Sequence, residues 1–181
     1  MQDVVYEDKH FQVFISDKEI STIISRLGQK INKAYADIKD PLTLISILDG
    51  SFIFMADLVR QLTIPVTIQF VKLKSYEGTS SRGEVAHLLK IQGSLAGKNV
   101  LVVEDVIDTG LTIDVFLEEL QKQNPQSVKV CTLLSKPEVH NNIVNIDFTG
   151  YELGPEFVIG YGLDINGQGR QLPHIYKLKI G

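Results

Sequence analysis

An apolar run that ends abruptly in acid constrains this chain more than any other feature. Val100-Leu101-Val102-Val103 leads without a break into Glu104-Asp105-Val106-Ile107-Asp108, then into Thr109-Gly110-Leu111-Thr112, and a helical pattern follows from Thr112 to Lys122. A run that is apolar at every position suits a strand covered on both faces, which is how parallel strands are buried. In an open α/β sheet, ligands bind in the crevice beyond the carboxyl ends of the strands. The three carboxylates and the hydroxyl-bearing turn therefore fall where chemistry is done. Backbone N–H groups of Thr109 to Thr112 can wrap an anion, the next helix adds the positive end of its dipole, and the threonines add donors. Carboxylates beside such a site repel a phosphate unless they hold sugar hydroxyls or a hydrated magnesium ion. Asp and Thr also favour helix N-termini for structural reasons alone. The whole set together, directly after a buried strand, points to a ligand.

The rest of the chain repeats the alternation of strand and helix. His10 to Ile15 reads as a strand, and Ser16 with Glu19 has capping-box spacing. Ile20, Ile23, Ile24, Leu27 and Ile31 then form a helical stripe. Pro41 opens the β-branched run Leu42 to Leu48, which ends at Asp49-Gly50. Ser51 to Leu62 reads as helix with Phe52, Met55, Ala56 and Val59 on one face, and Pro65 starts a strand through Leu73. Val128 to Leu134 is a further strand. This order predicts a doubly wound α/β domain. Phe148 to Leu153, Phe157 to Leu163 and Ile175 to Ile180 read as short strands between glycine-rich turns: a last core strand and a small cap. The polar, glycine-containing stretch Ser75 to Glu84 reads as a loop of lid type or as disorder.

Composition removes other classes. At 181 residues, the length suits one domain, spanning 1–181. Hydrophobic residues at 44% and charged residues at 22% exclude disordered and fibrous chains. A net charge of −4 makes a general binder of nucleic acid or anionic lipid a poor reading. The N-terminus lacks a signal-peptide pattern and no stretch is long enough to span a bilayer, so the expected location is cytoplasmic, away from membranes. Cys131 is the single cysteine and reads as a buried small hydrophobe. His10, His87, His140 and His174 have no metal-ligand spacing. Neither Gly160-Tyr161-Gly162 nor Gly167-Gln168-Gly169 makes a dinucleotide fingerprint, and there is no Walker-type GKT.

The segment Val102 to Thr112 resembles the phosphoribosyl pyrophosphate signature of type I phosphoribosyltransferases, in particular the hypoxanthine-guanine branch. The resemblance runs over most of the chain, from Leu48-Asp49-Gly50-Ser51-Phe52 to Arg170. It implies the type I phosphoribosyltransferase fold: a mostly parallel twisted sheet flanked by helices, with a small hood or cap formed by terminal segments, 148–181 contributing base-binding strands. It also implies transfer of the 5-phosphoribosyl group from phosphoribosyl pyrophosphate to N9 of hypoxanthine and guanine, in a magnesium-dependent reaction of purine salvage. The implied partners are a 6-oxopurine base and phosphoribosyl pyrophosphate, with no nucleic acid, and the implied assembly is a homodimer or homotetramer.

Residue by residue, the resemblance makes Asp108 the general base near purine N7. Glu104 and Asp105 match the pair that holds the ribose hydroxyls, directly or through magnesium, and Asp108, Thr109, Gly110, Leu111 and Thr112 match the 5′-phosphate loop. Lys136 matches the donor to the 6-oxo group, while Phe157 and Val158 match the stacking face and main-chain contacts of the base. Asp164 matches a magnesium ligand, completing a metal set with Glu104 and Asp105. Arg170 matches a pyrophosphate-binding arginine, Asp49-Gly50 the pyrophosphate loop, and Ser75-Tyr76 the start of a catalytic lid. Asp49 departs from the pattern, because that position often carries a basic residue, often after a strained or cis peptide. The competing reading is a nucleotide-sensing regulator on the same fold that binds RNA or DNA; the intact Asp108 and the negative net charge stand against it.

Overall fold

Every second residue of Val100 to Val103 faces the same side of a sheet, and both sides are covered. In the computed structural model, which describes residues 3–75, 85–141 and 143–179, Leu101 and Val103 join one core cluster while Val100 and Val102 join another. The first cluster lies under helices α1 (Asp17–Ala34) and α2 (Phe52–Val59), and the second under α3 (Leu111–Gln121). An uninterrupted apolar run is what two buried faces require of a strand.

The six-stranded sheet has the order β5 (Val85–Leu89), β4 (Val66–Ser75), β3 (Leu42–Leu48), β6 (Asn99–Ile107), β7 (Ser127–Ser135), β8 (Phe148–Glu152). The neighbours from β4 to β8 are parallel, and β5 adds to the edge antiparallel. A second, four-stranded antiparallel sheet has the order β1 (Val4–Tyr6), β2 (Lys9–Ile15), β10 (Ile175–Leu178), β9 (Val158–Ile159). It joins the two ends of the chain around Phe11, Ile159, Ile165 and Tyr176. The cap read from the C-terminal segment is therefore completed by N-terminal strands.

Local signals for α1 hold in detail. Ser16 caps it, with the reciprocal capping-box contacts to Glu19, and all five residues of the predicted stripe are buried. Two readings need correction. Helix α2 stops at Val59 and buries Phe54, Met55 and Leu58, whereas Phe52 is 44% exposed and Ala56 is also exposed. Its orientation is set at its start, where buried Ser51 lies 2.7 Å from Ser46 Oγ and donates to the Ile47 carbonyl. The second correction concerns Phe157 to Leu163. Only Val158–Ile159 is strand, because Gly160, Tyr161 and Gly162 all take positive φ and turn the chain away. Strands β1 and β5 and the short helix α4 (Pro137–His140) were not anticipated. Among the described residues no helix is long and apolar enough to cross a membrane.

Candidate active site

Strands β6 and β7 run parallel with Ile107 opposite Ser135, so the residues that follow them, Asp108 and Lys136, leave the sheet side by side. The Lys136 amide donates to the Ile107 carbonyl at 3.0 Å, extending the ladder by one bond. Lys136 Nζ then reaches Asp108 Oδ2 at 3.2 Å across a separation of 28 residues. The lysine side chain is only 12% exposed and the aspartate 53%. The ammonium is thus held in a pocket while the carboxylate stays open to a ligand.

Below this pair, a cavity of about 200 Å³ is lined by Glu104, Asp108, Thr109, Gly110 and Thr112, with Ile47 and Leu73 at its wall. Gly110 is the N-cap of α3 and brings no side-chain cap, so the turn presents main chain at the helix N-terminus. Main-chain donors at a helix N-terminus are the kind of group that can hold an anion. Leu111 is exposed, consistent with a backbone role. Behind the turn, buried His140 lies 3.0 Å from Ser135 Oγ and sits against Gly110. Of the four histidines, it is a hydrogen-bonded core residue.

The acidic pair lies within β6 rather than beyond it. Glu104 lines the cavity, whereas Asp105 lies against Gly50 of the β3–α2 loop. Burial and the neighbouring Asp105 push the Glu104 carboxyl well above the usual carboxylate range. Burial also raises Asp105, opposed by its hydrogen bonds and the charge of Arg170. Two neighbouring carboxylates in a partly buried setting offer oxygen donors suited to a hard dication. Asp164 is not part of that pair: its carboxylate takes Arg170 Nη2 at 2.7 Å and the Gly167 amide at 2.6 Å. Among the described residues, no three His, Cys, Asp or Glu side chains gather closely enough to hold a metal unaided. Magnesium commonly keeps several waters and substrate oxygens, so one carboxylate pair fits it.

The loop at Asp49 closes this side of the site. The Leu48–Asp49 peptide is cis. A Cβ on Gly50 would stand 1.7 Å from Asp105 Oδ2, and one on Gly162 would stand 2.1 Å from the Gly50 carbonyl. Only glycine permits these approaches, and they stack the β3–α2 loop between β6 and the C-terminal loop. Arg170 Nη1 donates to the Gly162 carbonyl at 2.7 Å, which carries the contact on to Asp164. Gly50, Asp105, Asp164 and Arg170, scattered along the sequence, therefore belong to one group. Asp49 itself pairs with Lys72 of β4 at 2.6 Å. Lys72 and Gly162 escaped the sequence reading; Gly162 had a signal in the glycine pair at 160 and 162, whereas Lys72 lies inside β4 and had none.

Phe157 is exposed, with its ring centroid 6.3 Å from that of Phe11, and Val158 is buried in the edge strand β9. Tyr161 Oη donates to Asp57 Oδ2 at 2.6 Å, which ties the Gly160–Gly162 turn to α2. Ser75 ends β4, and Tyr76 lies outside the described residues. Cys131 is fully buried, and burial raises its thiol far above the usual value, so it is inert.

Residues 15–166 match the family model of the phosphoribosyl transferase domain. Hypoxanthine phosphoribosyltransferase of Buchnera aphidicola is 42% identical over 94% of this chain and 97% of its own. Hypoxanthine-guanine phosphoribosyltransferase of Dictyostelium discoideum is 39% identical over 93% and 95%. Among solved structures, hypoxanthine phosphoribosyltransferase of Trypanosoma cruzi in complex with the product IMP superposes with a TM-score of 0.89, at 35% identity and covering 97% of each chain. Fold, sequence and the arrangement of the strand ends agree, and the chain belongs to the hypoxanthine phosphoribosyltransferase family.

Proposed function

We propose that the chain transfers the 5-phosphoribosyl group of phosphoribosyl pyrophosphate to N9 of hypoxanthine, giving IMP and pyrophosphate in purine salvage, with guanine as a second acceptor. The single observation that carries this reading is the Asp108–Lys136 pair, 3.2 Å apart above the Thr109–Thr112 turn. One group is an acceptor for a proton, the other a donor to an oxygen, and both stand over an anion cradle.

In this mechanism the 5′-phosphate lies on the amides and hydroxyls of Thr109 to Thr112, and Glu104 and Asp105 hold the ribose hydroxyls. Phe157 covers the base, and the main chain at Val158 meets its edge. Lys136 turns from Asp108 to the 6-oxo group, which selects a 6-oxopurine over adenine, whose 6-amino group is a donor. N9 attacks C1′ as the bond to pyrophosphate breaks. The carboxylate of Asp108 takes the N7 proton and opposes the positive charge that develops at the sugar. Arg170 and the Gly50 backbone receive the leaving pyrophosphate. Glu104 and Asp105, with Asp164 nearby, would hold magnesium, which would supply neutralising charge to the pyrophosphate. The segment beginning at Ser75-Tyr76 is assigned to the lid that excludes water. The chain works as one domain over 1–181, in the cytoplasm, as a homodimer or homotetramer.

The test is nucleotide formation by the purified protein from phosphoribosyl pyrophosphate and magnesium, with hypoxanthine, guanine, xanthine and adenine in parallel. IMP formation that collapses in Asp108→Asn is expected. Equal use of adenine would refute the role of Lys136, and no turnover with any purine would refute the reaction.

A further inference from the structure

We infer that Lys72 is the charge-compensating residue of the diphosphate site, supplying from the neighbouring strand the cation that the Asp49–Gly50 loop lacks. The inference rests on the assignment of that loop to pyrophosphate under Proposed function.

The placement follows from strand register. Strands β3 and β4 are parallel, with Leu48 opposite Lys72, so Asp49 leaves β3 beside the lysine. Lys72 Nζ lies 2.6 Å from Asp49 Oδ2, with the two side chains 40% and 47% exposed. The next residue, Gly50, packs on Asp105 and Gly162 in the middle of the Asp105, Asp164 and Arg170 group. A diphosphate arriving there meets the carboxylates of Asp49, Asp105 and Asp164, whereas Arg170 is already matched by Asp164. Like charges at this spacing repel a polyanion, and a cation bonded to one carboxylate cancels its share. Lys72 thus neutralises Asp49 and lets an aspartate stand in a loop that receives anions.

An electrostatic role and a structural clasp differ in the sign of their effects. If the pair only fastens the loop, loss of either partner weakens diphosphate binding. Under charge compensation, the two substitutions act in opposite directions. Lys72→Met raises KM for phosphoribosyl pyrophosphate and Ki for magnesium pyrophosphate by about tenfold at low salt. Asp49→Asn lowers both severalfold, and the double variant Asp49→Asn/Lys72→Met returns close to the parent. KM for hypoxanthine stays within about twofold throughout, and the differences shrink in molar salt. Both single variants weakening binding, or neither moving it, would overturn the inference. Gly50→Ala tests the underlying loop assignment separately, by calorimetric titration with magnesium pyrophosphate. Binding equal to the parent's would overturn the loop assignment itself. Weakened binding in Gly50→Ala, with Lys72→Met and Asp49→Asn unmoved, would overturn the compensation alone.

Discussion

Two lysine–aspartate pairs stand at the same rim of the parallel sheet and are built the same way. Asp108 and Lys136 follow the paired strands β6 and β7, while Asp49 and Lys72 join the paired strands β3 and β4. Parallel register sets both meetings: Asp108 and Lys136 follow the matched ends Ile107 and Ser135, while Asp49 leaves β3 beside Lys72, which lies within β4, three residues before that strand ends. The pairs differ in what surrounds them. Lys136 is 12% exposed, whereas Lys72 is 40% exposed. A desolvated ammonium that loses its partner must find another acceptor, and an arriving carbonyl oxygen can be that acceptor. An exposed ammonium is hydrated and screened, so its influence is a field rather than a bond. Under the proposed function, the same topology yields a recognition element at one pair and an electrostatic adjustment at the other.

The contrast breaks most readily at Asp108. Asp108→Asn is expected to lower kcat by about 10² to 10⁴-fold, whereas Asp49→Asn leaves kcat nearly unchanged; steady-state kinetics on both variants checks this, and similar kcat losses would erase the distinction. Next in size, Lys136→Met removes a charged hydrogen bond worth roughly 1.5–3 kcal/mol, so KM for hypoxanthine should rise by roughly 10- to 100-fold. Its KM for phosphoribosyl pyrophosphate should move far less. A smaller effect separates the pairs by salt. At about 1 M ionic strength, where the screening length is roughly 3 Å, the Lys72→Met defect should largely vanish while the Lys136→Met defect persists.

The smallest effect concerns the acid pair that lies between them on β6. Folding raises the carboxyls of Glu104 and Asp105, so the folded chain keeps protons that the unfolded chain has already lost. Their contribution to stability is intact below the ordinary carboxylate range and declines as pH rises from there toward the raised values. Glu104→Gln removes that loss. Its Tm relative to the parent, measured in chelator, should climb by a few degrees between about pH 4 and pH 7. A difference that stays constant with pH would show that the pair carries no such cost.

Much of the site was legible because its parts are local. The buried run, Glu104, Asp105, Asp108 and the turn to Thr112 are contiguous, and their spacing already places them after a strand and before a helix. The α1 cap was legible for the same reason, since Ser16 and Glu19 lie within one turn. The face of α2 was not. Its helical period is apolar nearly all round, and the choice of Phe54 and Leu58 over Phe52 and Ala56 was made by Ser51 against Ser46. Phe157 to Leu163 misled as well: its composition suits a strand, while the positive φ values at Gly160, Tyr161 and Gly162 belong to a turn tied to Asp57 and Leu172.

The sequence by itself determined the alternation of the main sheet's parallel strands with α1, α2 and α3, the two-sided burial of β6, and the adjacency of the three carboxylates to the turn at Thr109–Thr112. Each of these depends on periodicity or on neighbours a few residues apart, which the linear chain contains. Tertiary structure alone decided that Lys136 meets Asp108, that Lys72 meets Asp49, and that Gly50 lies between Asp105 and Gly162. Those contacts depend on which strands become neighbours and in what register. That choice is fixed by packing both faces of the sheet at once, and no local stretch of the chain encodes it.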